Sequence, residues 1–164
     1  MVPYDLQGLI DSIGGKEAAE KRLDEMFRRL DASYGDEWFA SGNEPSFQIP
    51  WIYNWAGAPY KAQQVIRRIL NEQYSSRVNG LPGNDDLGSM GAWYVFASIG
   101  LFPEIPGVGG FSVNSPVFRK IVLHLPEGDV IIKGGDEKKE YIHSLSLGGK
   151  KMAVSYTHLR AHET

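Results

Sequence analysis

At Phe102 the periodicity of the sequence changes, and that change limits the fold to two unlike parts. Before it, apolar residues recur at helical steps; after the connector PEIPGVGG (103–110), apolar runs are short and alternate. A period near 3.6 hides one stripe of a helix and a period of 2 hides one face of a strand, so neither pattern can serve for the other. The helical part begins with DLQGLIDSIGG, where Leu6, Leu9, Ile10 and Ile13 share a face and Gly14-Gly15 stops the run. KEAAEKRLDEMFRRL follows as an amphipathic helix with Ala19, Leu23, Met26, Phe27 and Leu30 on its apolar side. EPSFQIPWIYNWAG reads as a short aromatic helix made irregular near Pro50. APYKAQQVIRRILNEQY starts with Pro59 in the first turn and carries Tyr60, Ile66, Ile69 and Gln73 on one stripe. GSMGAWYVFASIG is apolar nearly all round, which predicts burial on most sides, with Gly100 as its stop.

Beyond the connector, FRKIVLHLP, DVIIKGG and EYIHSLSLGGK read as strands. So few strands do not make a stable sheet alone, so they are expected to complete a sheet whose other strands lie elsewhere. The inner faces of the helices, with Trp51, Trp55 and Trp93, are expected to lack partners for the same reason. The final stretch VSYTHLRAHET (154–164) breaks the strand pattern and matches the translation of an adapter used in sequencing libraries. It is set aside as non-native, and with it His158 and His162, whose spacing of four would otherwise suggest a metal pair.

Composition excludes several classes. A net charge of −3 with no basic stripe argues against a nucleic-acid partner. No cysteine is present, so neither a disulfide framework nor a thiolate metal site can form. No run is long and apolar enough to span a bilayer, and the first residues lack the pattern of a signal peptide.

Two loops concentrate the chemistry. SGNEPS places Asn43 and Glu44 just before Pro45 at a helix start, where backbone amides favour an anion. GLPGNDDLGSM places Asn84, Asp85 and Asp86 in a row at the mouth of another helix. Neighbouring carboxylates repel, so the pair must be compensated or used, as a helix cap, a cation ligand or a catalytic base. Taken singly, each loop is explained by capping, since Asn and Asp are favoured cap residues. Trp51, Trp55 and Trp93, one by one, are more often core than sugar platforms.

Together, GNEPSFQIPWIYNWAGAPYKAQQVIRRIL and GLPGNDDLGSMGAWYVFASIGLFPEIPG resemble the glycoside hydrolase family 92 α-mannosidases. VPYDLQGLIDSIGGKEAAEKRLDEMF and VNSPVFRKIVLHLPEGDVIIKGG are similar too, so the resemblance covers about residues 2–153. It implies a mainly α fold: the C-terminal helices of an (α/α)6 barrel over 1–103, then strands (104–153) belonging to a β-sandwich domain. It implies an exo-acting, calcium-dependent enzyme that removes terminal α-linked mannose from glycans with inversion. Asp86 matches the family's general base, with Asp85 beside it; Asn43 and Glu44 match positions lining the mannose and calcium site. Asn84 stands on the substrate side where some relatives carry an acidic residue. The general acid is implied to be a glutamate upstream of Met1; Glu17 and Glu20, on an exposed helical face, are poor substitutes. The chain would then hold the base without the acid, be inactive alone, and depend on the missing N-terminal portion of its own polypeptide. Export to the periplasm or medium is implied as well. The alternatives are a non-catalytic calcium- or glycan-binding module and a different α/α-barrel glycoside hydrolase.

Overall fold

The computed structural model describes residues 4–33, 35–154 and 156–157. Among these, the helices are α1 (Leu6–Ser12), α2 (Lys16–Met26), α3 (Ile52–Ala56), α4 (Pro59–Glu72) and α5 (Ser89–Ile99). Two single turns of 3-10 helix, Glu44–Ser46 and Ile49–Trp51, lead into α3. Pro45 and Pro50 sit at the starts of these turns, where a missing N–H costs nothing, so the aromatic segment is irregular as its prolines predict. Pro59 opens α4 in the same way. The short α3 is the hub of the packing, touching α1, α2 and α4.

The core lies among these helices. Trp51 is fully buried, stacked on Phe102 with ring centres 4.0 Å apart and edge-on to Trp93 at 5.7 Å. Phe27 packs against Phe39 and Tyr53 at 4.8 and 5.8 Å. Burial of each such side chain stabilises by roughly 1.5–3 kcal/mol before entropy is charged against it. A salt-bridge cluster stitches α4 to α2: Lys61 reaches Glu20 at 2.7 Å and Asp24 at 2.6 Å, and Tyr53 donates its hydroxyl to Asp24.

Beyond α5 the strands are β1 (Leu101–Phe102), β2 (Phe111–Val113), β3 (Lys120–Leu125), β4 (Gly128–Lys133), β5 (Leu145–Leu147), β6 (Lys150–Met152) and β7 (Tyr156–Thr157). All pairing is antiparallel, as a β1-β2-β7 sheet and two hairpins, β3-β4 and β5-β6. Gly100 makes the corner from α5 into β1. Its φ of +85° is left-handed, and a Cβ there would stand 2.6 Å from the Asn114 carbonyl oxygen, so only glycine fits.

Several expectations change. Trp51 and Trp93 find partners inside this chain and are core, not an unpartnered inner face. Helix α5 is not buried on most sides: Met90, Trp93, Ala97 and Ser98 are buried, whereas Tyr94 and Val95 are 42% and 56% exposed. Helix α2 ends at Met26, and Phe27 and Leu30 join the core from the following loop. On α4 the buried stripe runs through Ala62, Val65, Ile66, Ile69 and Leu70, and Tyr60 stays exposed. Within the stretch set aside as adapter-derived, the backbone of Tyr156–Thr157 pairs with Phe111 and Ser112. His158 and His162 lie outside the described residues. Among the described residues no helix is long and apolar enough to cross a membrane.

Candidate functional site

The two loops singled out in the sequence meet through a pair of glycines. A Cβ on Gly42 would lie 2.5 Å from the Pro82 carbonyl oxygen, and one on Gly83 would lie 2.5 Å from the Gly42 carbonyl oxygen. Backbone touches backbone here, which no residue with a side chain permits. Each loop therefore starts on Gly-Asn, Gly42-Asn43 and Gly83-Asn84, and the contact brings the two asparagines' loops side by side. A second tie lies deeper: Trp93 of α5 donates its indole N–H to the Phe47 carbonyl at 3.0 Å.

The adjacent carboxylates have different fates. Asp85 caps α5. Its Oδ1 accepts the Gly91 N–H at 3.2 Å, and its carbonyl accepts the Met90 N–H at 3.1 Å, satisfying amides that have no partner within the helix. The helix dipole favours a negative charge at that end. Burial, and then the Asp85 charge, push the Tyr74 phenol above its ordinary pKa.

Asp86 does otherwise. Its backbone is left-handed, with φ +50°, followed by Leu87 at +59° and Gly88 at +91°. Two successive non-glycine residues in that region store strain of about 1–2 kcal/mol each, a feature that concentrates at functional sites. Asp86 is partly buried, and among the described residues no hydrogen bond or ion pair holds its carboxylate. A carboxylate with free lone pairs can accept a proton from water.

Glu44 is exposed at the start of its 3-10 turn, and Asn43 before it makes no side-chain capping bond to that turn. The Ser89 hydroxyl lies 3.3 Å from Glu44 Oε1 and 2.6 Å from the Asp86 carbonyl oxygen, bridging the two loops. Asn84 is exposed on the loop just after the glycine contact. Beside that contact, Ser41, Asn43, Gln73 and Pro82 line a cavity of about 290 Å³, with the Ser41 hydroxyl donating to Gln73 Oε1 at 3.0 Å. Glu20 is tied up by Lys61, and Glu17 stands exposed in the first turn of α2.

Gly42, Gly83 and Ser89 were not singled out in the sequence. The repeated Gly-Asn opening was the available signal for the glycines; nothing in the sequence marks Ser89, because its partners are 3 and 45 residues away.

The same chain has clear relatives. A family model described as the glycosyl hydrolase family 92 catalytic domain matches residues 1–163. An uncharacterized secreted glycosidase of Arthroderma benhamiae is 32% identical over 156 residues, which cover 92% of this chain and 19% of that protein. A family 92 α-mannosidase of Bacteroides thetaiotaomicron superposes with a TM-score of 0.84 at 36% identity, over 96% of this chain and 21% of its own. That enzyme has also been solved in complex with mannoimidazole, and this structure matches with a TM-score of 0.84 at 33% identity, over 96% of this chain and 22% of its own. A family 92 inverting mannosidase of the same organism superposes with a TM-score of 0.82 at 31% identity, over 96% of this chain and 24% of its own. The chain spans about a fifth of the length of these relatives. With the family model matched almost from end to end, this chain belongs to glycosyl hydrolase family 92.

Proposed function

We propose that this chain supplies the general-base side of an inverting, calcium-dependent exo-α-mannosidase that removes terminal α-linked mannose from glycans. The observation that carries the reading is the sorting of the two aspartates: the Asp85 carboxylate is consumed by the α5 cap, whereas among the described residues no hydrogen bond or ion pair engages that of Asp86, whose backbone carbonyl shares the Ser89 hydroxyl with Glu44. Support comes from the similar family 92 α-mannosidases of Bacteroides thetaiotaomicron, one inverting and one with mannoimidazole bound.

In this mechanism Asp86 takes a proton from the water that attacks the anomeric carbon, while a carboxylic acid on the opposite face of the sugar protonates the leaving oxygen. Inversion needs the two groups about 6.5–9.5 Å apart so that the water fits between them. The resemblance to family 92 assigns the acid to a glutamate outside this stretch; Glu20, paired with Lys61, and Glu17, on an exposed helix face, are poor substitutes. Asn43, Glu44 and Asn84 orient the sugar. The donor chemistry near Glu44 is all oxygen, which suits a hard cation. Among the described residues no three acidic or histidine side chains converge, so Glu44 and Asn43 would hold calcium only with further oxygens from sugar, water or the rest of the protein. A bound calcium ion would supply a grip on sugar hydroxyls and charge to ease flattening of the ring.

The same reading makes the helices part of an (α/α)6 barrel (1–103), the strands (104–153) part of a β-sandwich domain, and residues 154–164 a non-native tail. On this reading the enzyme works outside the cytoplasm, in the periplasm or medium, and the similarity to a secreted glycosidase supports it.

The test is the pair Asp86→Asn and Asp85→Asn in the complete polypeptide, assayed on an aryl α-mannoside. Asp86→Asn is expected to lower kcat by about 10²–10⁴-fold, the usual worth of a general base, with KM little changed. Asp85→Asn is expected to lower the melting temperature slightly and keep most activity. Chelation is expected to raise KM and lower kcat together. Turnover that survives Asp86→Asn and disappears with Asp85→Asn would assign the base to the other carboxylate. Two fully active variants would reduce the loop to a cap and favour a binding module.

A further inference from the structure

We propose that Ser89 is a positioning residue for this reaction: it holds the left-handed turn at Asp86 and sets that turn in register with Glu44. The inference rests on the reading of Asp86 as the base.

Ser89 is the first residue of α5 and follows the Asp86-Leu87-Gly88 turn. Its hydroxyl donates to the Asp86 carbonyl at 2.6 Å, and its backbone N–H donates to the same oxygen at 3.2 Å. One residue thus closes the turn twice. Glycine alone adopts positive φ readily, and Asp86 and Leu87 adopt it at +50° and +59°. Leu87 is fully exposed, so no apolar contact compensates there. Hydrogen bonds close the turn: Asp85 spans it to Met90 and Gly91, and Ser89 supplies both bonds to the Asp86 carbonyl itself. The φ of Asp86 in turn sets the direction of its Cα–Cβ bond, hence where the carboxylate stands.

The second half of the argument is the reach to the other loop. The same Ser89 oxygen lies 3.3 Å from Glu44 Oε1, across the junction that Gly42 and Gly83 make. A hydroxyl has one proton and here faces two acceptors, the Asp86 carbonyl and the Glu44 carboxylate. At 2.6 Å the Asp86 carbonyl is the better-placed acceptor, and Glu44 Oε1 at 3.3 Å is the alternative one. Ser89 therefore fixes the separation between the group that would activate water and the group that would hold the sugar. Displacement of a reacting group by about an ångström is enough to lower a rate by roughly 10²-fold.

The experiment compares Ser89→Ala, Ser89→Thr and Asp86→Asn in the complete polypeptide, with kcat and KM on an aryl α-mannoside. Hydrogen exchange of the amides of 86–91 and the melting temperature are read on the same proteins. Ser89→Ala is expected to lower kcat about 10- to 100-fold, leave KM within about threefold, and speed exchange in 86–91 with little change in melting temperature. Ser89→Thr keeps the oxygen and is expected to recover most of the lost kcat and the slow exchange. Wild-type kcat in Ser89→Ala, with Asp86→Asn strongly impaired, would overturn the proposal while the base assignment stands. A raised KM at constant kcat would also overturn it, since Ser89 would then act on sugar binding alone. Failure of Ser89→Thr to recover what Ser89→Ala loses would do the same, by showing that shape rather than the hydroxyl matters. Normal turnover in Asp86→Asn would instead remove the base assignment on which the proposal rests.

Discussion

The helical and strand regions are held by different forces. Among the described residues, the buried apolar side chains come almost wholly from before Gly100; Phe102 and Val113 are the exceptions. No side chain of the β3-β4 hairpin is buried, and Leu125 and Ile131 are about half exposed. The strand region is instead fastened by polar side chains that grip backbone. Arg67 of α4, nearly buried, points its guanidinium at the carbonyls of Ser115, Pro116, Asp136, Glu137 and Lys139. Gln63 of α4 accepts the Ile142 N–H at 2.7 Å, and Asn114 donates to the Ala97 carbonyl at 2.8 Å. Apolar packing is non-directional and tolerates adjustment; a few hydrogen bonds fix a position and fail abruptly when one partner goes. The helices should therefore be robust to single polar changes, and the attachment of the strands should not.

Arg67→Met gives the largest expected break. It keeps much of the aliphatic stem and removes the guanidinium, leaving several carbonyls without their donor. Hydrogen bonds to a charged group contribute about 1.5–3 kcal/mol each and do not add fully, so a loss of about 3 kcal/mol is expected. Hydrogen exchange should show residues beyond Ser115 losing protection first, with α3 and α4 little affected. A uniform loss over both regions would mean that they form one cooperative unit.

Glu104 makes the attachment sensitive to pH. It is fully buried; its Oε2 accepts the Trp55 indole N–H at 3.2 Å and the Ser112 hydroxyl, and its Oε1 has no partner. Burial raises its pKa from 4.5 to about 7, against the smaller opposing effect of bonds from Ser112 and Trp55. The folded state thus keeps a proton that the unfolded chain has lost. This contribution to stability is complete below pH 4.5 and declines as pH rises, levelling off above 7, a loss of about 3 kcal/mol across the window. Glu104→Gln should flatten that part of the stability–pH curve and make the variant the more stable protein at pH 8. A wild-type curve with no fall between pH 4.5 and 8 would show that the charged form is accommodated.

Gly83→Ala should have the smallest effect on stability, about 1–2 kcal/mol, because the added methyl pushes apart two surface loops rather than the core. Its value lies in what moves. The Gly42 loop and the Gly83 loop should exchange faster while the amides of α3 stay protected, measured by hydrogen exchange.

Much of the helical region was legible because helix periodicity is local: the stops at Gly14-Gly15 and Gly100, the prolines at 45, 50 and 59, and Ile66 and Ile69 of the α4 stripe can be read from neighbours in sequence, whereas Tyr60 of the expected stripe stays exposed. The exposure of Tyr94 and Val95 could not be read that way, since an apolar helix says what could be buried and not what is there to cover it. The candidate site was half legible. Both loops stood out by their acidic residues, and family resemblance pointed to Asp86 over Asp85. The structural grounds for that choice lie in the sign of φ at Asp86 and in an amide six residues on, Gly91, that claims Asp85.

By itself, then, the sequence determined where helices give way to strands, which segments form amphipathic helices, and which two loops carry the carboxylates, since each follows from the chemistry of adjacent side chains. The tertiary structure alone decided that Gly42 meets Gly83, that Arg67 is buried while Arg68 stays near solvent on the Phe27 carbonyl, and that Glu104 in a Pro/Gly connector becomes the most enclosed carboxyl of the core. In each case the outcome depends on a surface contributed by chain more than 35 residues away or by a fold that excludes water, and neither is encoded in the local pattern.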